Sequence, residues 1–150
     1  MNDTRYRRNS GSVYSLKYHL VWCPKFRRKV LVGDIAQELR SLLYQKAQDL
    51  DVTIEALEIM PDHVHLFIES DPTEAPQRLA NQFKGYTSRM LRLKFPELRS
   101  RLPSMWSRSY YVGSIGHVSE ETVKPYIEIR NRVRLCFASI STSFDPIPSK

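Results

Sequence analysis

Two histidines lie two residues apart in the stretch MPDHVHLFIE, residues 60–69. On an extended chain side chains alternate between faces, so His63 and His65 point the same way. Val64, Leu66 and Ile68 point the other way and read as the core-facing set. The histidines share their face with Phe67 and Glu69. Two imidazoles so placed can hold one divalent metal ion when a third ligand comes from elsewhere. The same pair can also be plain surface or packing histidines. Only His19 and His117 remain, so no all-histidine cage forms locally. His117-Val118-Ser119 gives a His-x-Ser triplet, but a two-histidine phosphoesterase needs two such triplets. His63-Val64-His65 lacks the hydroxyl, which argues against that chemistry.

The elements that must position these residues follow from periodicity. Residues 13–23 (VYSLKYHLVWC) alternate as a strand, ended by Pro24. Asp34, with Gln37 three positions on, reads as the cap of a helix carrying Ile35, Leu39, Leu42, Leu43, Ala47 and Leu50 on one face. Residues 52–60 and 63–69 read as two strands joined at Pro61-Asp62, close enough to pair antiparallel. A second helix carries Leu79, Phe83, Tyr86, Met90 and Leu93, with Pro76 in its first turn. Pro96 and Pro103 bracket a basic connection, and residues 109–115 read as a fourth strand ending near Gly113 and Gly116. A last helix starts at Ser119 and runs through Val123, Ile127 and Val133. Residues 1–11 read as a basic flexible arm, 12–137 as one domain and 138–150 as a flexible tail. The order β-α-β-β-α-β and a helix is the split βαβ arrangement: an α+β, ferredoxin-like (RRM-like) antiparallel sheet with helices packed on one face. Its open sheet face is a common nucleic-acid platform.

Charge points to a polyanion. The chain has a formal charge of +7 and a pI near 9.6, gathered in two blocks. Residues 1–30 hold eight basic residues against Asp3, and residues 84–108 hold seven against Glu97. Between them, residues 31–83 carry ten acidic against three basic residues. Each phosphate neutralised by such a block releases counterions, which favours nucleic acid. No apolar run of transmembrane length exists, and MNDTRYRRNSGS lacks the apolar stretch of a signal peptide. Cys23 and Cys136 form no CxxC pair. A cytoplasmic protein without membrane partners is the expectation. Trp22, Trp106 and His19 are expected to be packed rather than functional.

The stretch MPDHVHLFIE resembles the HUH motif of the single-tyrosine transposases of bacterial insertion sequences, with Val64 as the bulky apolar residue between the histidines. YHLVWCPKFRRKVL (18–31), FKGYTSRMLR (83–92) and MWSRSYYVGSIGHVSEETVKPYIE (105–128) are similar to further segments of that family, in order. The resemblance implies a homodimer that cuts and rejoins single-stranded DNA at element ends and recognises hairpins there. It implies that His63 and His65 hold a divalent metal, Mg²⁺ or alternatively Mn²⁺. It implies that Tyr126, on an extra C-terminal helix, attacks the scissile phosphate to give a 5′-phosphotyrosine and a 3′-hydroxyl. A phenol is a weak nucleophile near neutral pH, so charge stabilisation at the phosphate is needed. DNA contacts are expected from Lys25, Arg27, Arg28, Lys84 and Arg89.

One position departs from the family. Its metal-binding glutamine lies four residues after the tyrosine, where this chain has Arg130. Arginine has no acceptor and stays cationic, so it cannot ligate a metal. Asn131 lies about 140° from Tyr126 around an ideal helix, against about 40° for Arg130. Three readings stand open. The metal is held by the histidines with water and phosphate; Arg130 binds the phosphate itself; or the chain is a noncatalytic relative that binds DNA hairpins. A generic RRM-like RNA module would need exposed aromatics where this sequence has two histidines.

Overall fold

The structure, a computed structural model, describes residues 6–115. Along them run β1 (Arg7–Arg8), β2 (Val13–Tyr14), β3 (Leu16–Trp22), α1 (Gly33–Asp49), β4 (Thr53–Met60), β5 (His63–Ser70), α2 (Pro76–Lys94), α3 (Glu97–Arg101) and β6 (Tyr111–Ile115). The expected last helix, Tyr126, Arg130, His117, Gly116, Cys136 and the tail lie outside the described residues.

Strands β3 to β6 make one four-stranded antiparallel sheet in the order β4-β5-β3-β6. The pairing of β3 with β5 runs unbroken from Leu16 opposite Ser70 to Trp22 opposite Val64. One sheet face carries Leu20, Trp22, Val64, Leu66 and Ile68, all buried. Against it pack Ile35, Leu39, Leu42, Leu43 and Ala47 of α1 and Leu79, Ala80, Phe83 and Leu91 of α2. Each fully buried aliphatic or Phe side chain contributes about 1.5–3 kcal/mol. That apolar stripe forces both helices onto one side of the sheet. The other side of β5 is buried as well, so the open platform expected from sequence is not open at the histidines.

Several local expectations are corrected. Asp34 is not the helix cap: α1 begins at Gly33, its N-cap position is Val32, and no side chain caps it. Gly33 adopts φ +55, a conformation available to glycine, and the chain enters the helix two residues earlier than an Asp34 cap would have it. Asp34 sits in the first turn, where its charge complements the helix dipole. The basic connection after α2 contains α3, which buries Leu98 against the core. Part of the expected arm is paired: Arg7 and Arg8 lie opposite Tyr14 and Val13, and Arg7 Nε donates to Glu69 Oε2 at 3.0 Å. Gly113 has no left-handed backbone, and a side chain there would have to displace the end of the Tyr111 side chain. A Cβ there would lie 2.6 Å from the Tyr111 hydroxyl oxygen.

Trp22 and Trp106 are buried, as expected, and meet edge to face with centroids 6.0 Å apart. Thr87 locks this corner. Its Oγ1 donates to the Phe83 carbonyl at 2.7 Å and accepts from Trp106 Nε1 at 3.0 Å. Thr87→Val keeps the shape but leaves the indole N–H without that acceptor, so a loss of about 1–3 kcal/mol is expected in urea denaturation.

Candidate functional site

His63 and His65 project from β5 on the face away from the helices, as the alternation required. Their rings meet edge to face with centroids 4.9 Å apart. They are 3 % and 2 % exposed. The residues around them are set by strand register. Val21 on β3 and Glu58 on β4 lie opposite His65, and Met60 lies opposite His63.

Each histidine is held through one ring nitrogen. His63 Nδ1 lies 2.6 Å from Asp62 Oδ1. Ionised carboxylate only accepts, so Nδ1 carries the hydrogen and donates. Asp62 Oδ2 in turn accepts from Arg27 Nη2 at 3.3 Å. The second nitrogen of His63, Nε2, is buried and has no hydrogen-bond partner among the described residues. A buried nitrogen in that state suits a metal ligand, whose other nitrogen is characteristically bonded to a carboxylate or carbonyl. His65 Nδ1 lies 3.0 Å from His19 Nε2, so one of the two nitrogens donates to the other. His19 also stacks on Phe67, centroids 4.1 Å apart, and its pKa is lowered from the usual 6.5 to about 4 by burial. It is therefore neutral near pH 7.

Among the described residues, no group of three or more His, Cys, Asp or Glu is arranged to hold a metal. Two imidazoles alone would leave the remaining positions of a metal ion to other oxygen or nitrogen donors. The basic candidates divide. Arg28 and Arg89 are exposed, and Lys25 is half-buried with its ammonium 5.4 Å from the Phe26 ring centroid. Arg27 faces Asp62. Lys84 donates to the carbonyls of Ser107 and Arg108 at 2.7 and 3.1 Å, tying α2 to the chain that leads into β6. Tyr126 and Arg130 lie outside the described residues.

Asp62 lies in a turn and His19 is packed, as the sequence leads one to expect, but their contacts with His63 and His65 go beyond that reading. Asp62 was findable: a carboxylate directly before a histidine can reach its Nδ1. His19 was not, because its contact with His65 depends on the register between β3 and β5.

The chain matches the family model for the transposase IS200-like family over residues 12–130. It is 33 % identical over 124 residues to the ISDra2 transposase TnpA of Deinococcus radiodurans, covering 81 % of this chain and 89 % of that one. It is 30 % identical over 105 residues to the transposase for insertion sequence element IS200 of Salmonella typhimurium, covering 69 % of each. The crystal structure of a candidate transposase from Deinococcus radiodurans superposes with a TM-score of 0.70 at 32 % identity, covering 81 % of this chain and 95 % of that one. A REP-associated tyrosine transposase bound to a REP hairpin shares the fold, with a TM-score of 0.53 at 18 % identity, covering 82 % of this chain and 66 % of that one.

The pKa of His19 gives a stability prediction for the metal-free protein. Unfolded, His19 takes up its proton near pH 6.5; folded, only near pH 4. Its contribution is fully present above pH 6.5 and is lost as the pH falls towards 4, by about 3 kcal/mol at most. Urea midpoints measured from pH 7.5 to 4 should fall accordingly, and His19→Gln should flatten that part of the profile.

Proposed function

This chain belongs to the IS200-like transposase family, and from that premise we propose that it cuts and rejoins single-stranded DNA at insertion-sequence ends. The observation that carries the reading is His63. Its Nδ1 is fixed by Asp62, and its buried Nε2 has no partner among the described residues, beside a second imidazole.

Tyr126 is the proposed nucleophile. Its phenolic oxygen bonds to phosphorus, and the bond from phosphorus to the 3′-oxygen breaks. A 5′-phosphotyrosine and a free 3′-hydroxyl result; the phenol loses a proton and the 3′-oxygen gains one. The phosphotyrosine ester keeps the linkage activated for rejoining. His63 and His65 would hold a divalent ion, Mg²⁺ or Mn²⁺, whose chemistry when bound is to draw charge from the phosphate oxygens. Arg130 stands where the family has a glutamine. Its permanent charge and five N–H donors suit direct binding of the scissile phosphate.

The proposed partner is single-stranded DNA folded into hairpins. A structural neighbour was solved with a REP hairpin, which supports this choice. Lys25, Arg28 and Arg89 are proposed to contact phosphates. Arg27 and Lys84 add positive potential while bonded to Asp62 and to backbone carbonyls. The strand order β4-β5-β3-β6 with α1 and α2 on one face supports a ferredoxin-like core, with Tyr126 on a helix beyond it. Homodimer formation and a cytoplasmic, DNA-associated location complete the proposal. No described helix is long and apolar enough to cross a membrane.

The test is covalent adduct formation with hairpin oligonucleotides from the flanking DNA, read on denaturing gels and by peptide mass mapping. An adduct on Tyr126 is expected with Mg²⁺ or Mn²⁺, none with Tyr126→Phe. His63→Ala should slow cleavage on the order of 10³-fold. Tight hairpin binding without an adduct in any metal would show a noncatalytic hairpin-binding protein instead, a reading that the missing glutamine favours. Arg130→Gln should reduce cleavage at least ~10-fold if the arginine binds the phosphate; a strong rise in metal-dependent cleavage would show that it does not.

A further inference from the structure

We propose that Asp62, itself held by Arg27, is a positioning residue that fixes the hydrogen of His63 on Nδ1 and keeps Nε2 directed into the site. The inference rests on the metal-binding reading of His63 for its purpose, but not for its geometry.

Three observations carry it. The contact is short, 2.6 Å, and both residues are buried, at 8 % and 3 % exposure. A charged acceptor in such surroundings binds an N–H more strongly than water would. A neutral imidazole carries one ring hydrogen, so fixing it on Nδ1 leaves the lone pair on Nε2. The second observation is the backbone that delivers Arg27. The turn Lys25–Arg27 places two consecutive non-glycine residues in the left-handed region, Phe26 at φ 57 and Arg27 at φ 50. Side-chain-bearing residues rarely adopt that conformation, and it persists where surrounding structure enforces it. Here Lys25 N donates to the Met105 carbonyl at 3.0 Å, and Arg27 N to the Pro24 carbonyl at 2.9 Å. The third is the link between the two loops. Leu31 N donates to the Pro61 carbonyl at 3.0 Å, one residue before Asp62. The strained turn and the loop before β5 are thus fastened together, with the Arg27 guanidinium at Oδ2 of the Asp62 carboxylate.

This assigns Arg27 to building the site more than to reading phosphates. A carboxylate buried beside an imidazole needs a counter-charge, and Arg27 supplies it while leaving Oδ1 for His63.

The test uses the full-length metal-free protein at pH 8, with imidazole ¹⁵N spectra reporting the tautomer and Mn²⁺ titration reporting affinity. In the wild type, His63 should show its hydrogen on Nδ1, with a strongly downfield proton. Asp62→Ala should move the His63 hydrogen towards Nε2 and weaken Mn²⁺ binding ~10–100-fold, while the His19 and His65 signals stay in place. Arg27→Gln should produce a smaller change in the same direction. If Asp62→Ala does not fold, Asp62→Asn decides: it keeps the size and an acceptor oxygen but loses the charge. The Nδ1 proton should then move upfield, with several-fold weaker Mn²⁺ binding. A folded Asp62→Ala or Asp62→Asn with a wild-type His63 spectrum overturns the proposal. A wild type that binds neither Mn²⁺ nor Mg²⁺ would sink the metal reading instead, and the tautomer measurement would still decide the role of Asp62.

Discussion

The pairing of β3 with β5 governs everything else in this molecule. Seven consecutive residue pairs, from Leu16 with Ser70 to Trp22 with Val64, set which side chains face the helices. A slip of one residue would turn Val64, Leu66 and Ile68 away from the core and His63 and His65 into it. The cost of exposing three buried aliphatics and burying imidazoles among apolar residues excludes that alternative. The histidine face is thus specified by the apolar face, through the period of the strand alone. The same register puts His19 against Phe67 and in reach of His65.

Around that sheet the site is assembled from the ends of elements. The histidines come from a rigid central strand, their holders from the adjoining strand and from two loops. Asp62 belongs to the connection between β4 and β5, and Arg27 to the turn after β3. Polar groups that would be costly to bury singly are joined as a chain, from the half-buried Arg27 guanidinium to the buried Asp62 carboxylate and the buried His63 imidazole. The chain stops at His63 Nε2 among the described residues, which is where a further ligand has the most to gain. Membership of the IS200-like transposase family gives this stopping point its interpretation.

Much of this was legible in the sequence because it follows from periodicity. The alternation in HVHLFIE gave both the face of the histidines and the core residues beneath them. Pro76 at the start of α2 and the heptad-like spacing of Leu79, Phe83 and Met90 gave that helix its position. What escaped depends on contacts distant in sequence or on unusual backbone. Asp34 looked like a helix cap because its chemistry suits one, but Gly33 let the helix start earlier. Leu98 and Leu102 are too few to announce α3, yet both are buried. Lys84 read as a surface cation, and only the fold shows it bound to the carbonyls of residues 107 and 108. Two left-handed residues in a row, Phe26 and Arg27, have no glycine to signal them.

The single backbone bond between Leu31 and Pro61 has a consequence for how such a site is inherited. The motif of residues 60–69 looks portable, a strand that could be moved into another antiparallel sheet. Moved alone, it would bring the histidines and Asp62 but leave behind the turn that neutralises the carboxylate and the strand that braces His65. Recombination that exchanges short segments would therefore separate parts that only work together. Any transferable unit must span at least His19 to His65, with α1 between them, and the bond from Lys25 N to the Met105 carbonyl extends it further; most of those residues serve only to keep the others at their distances.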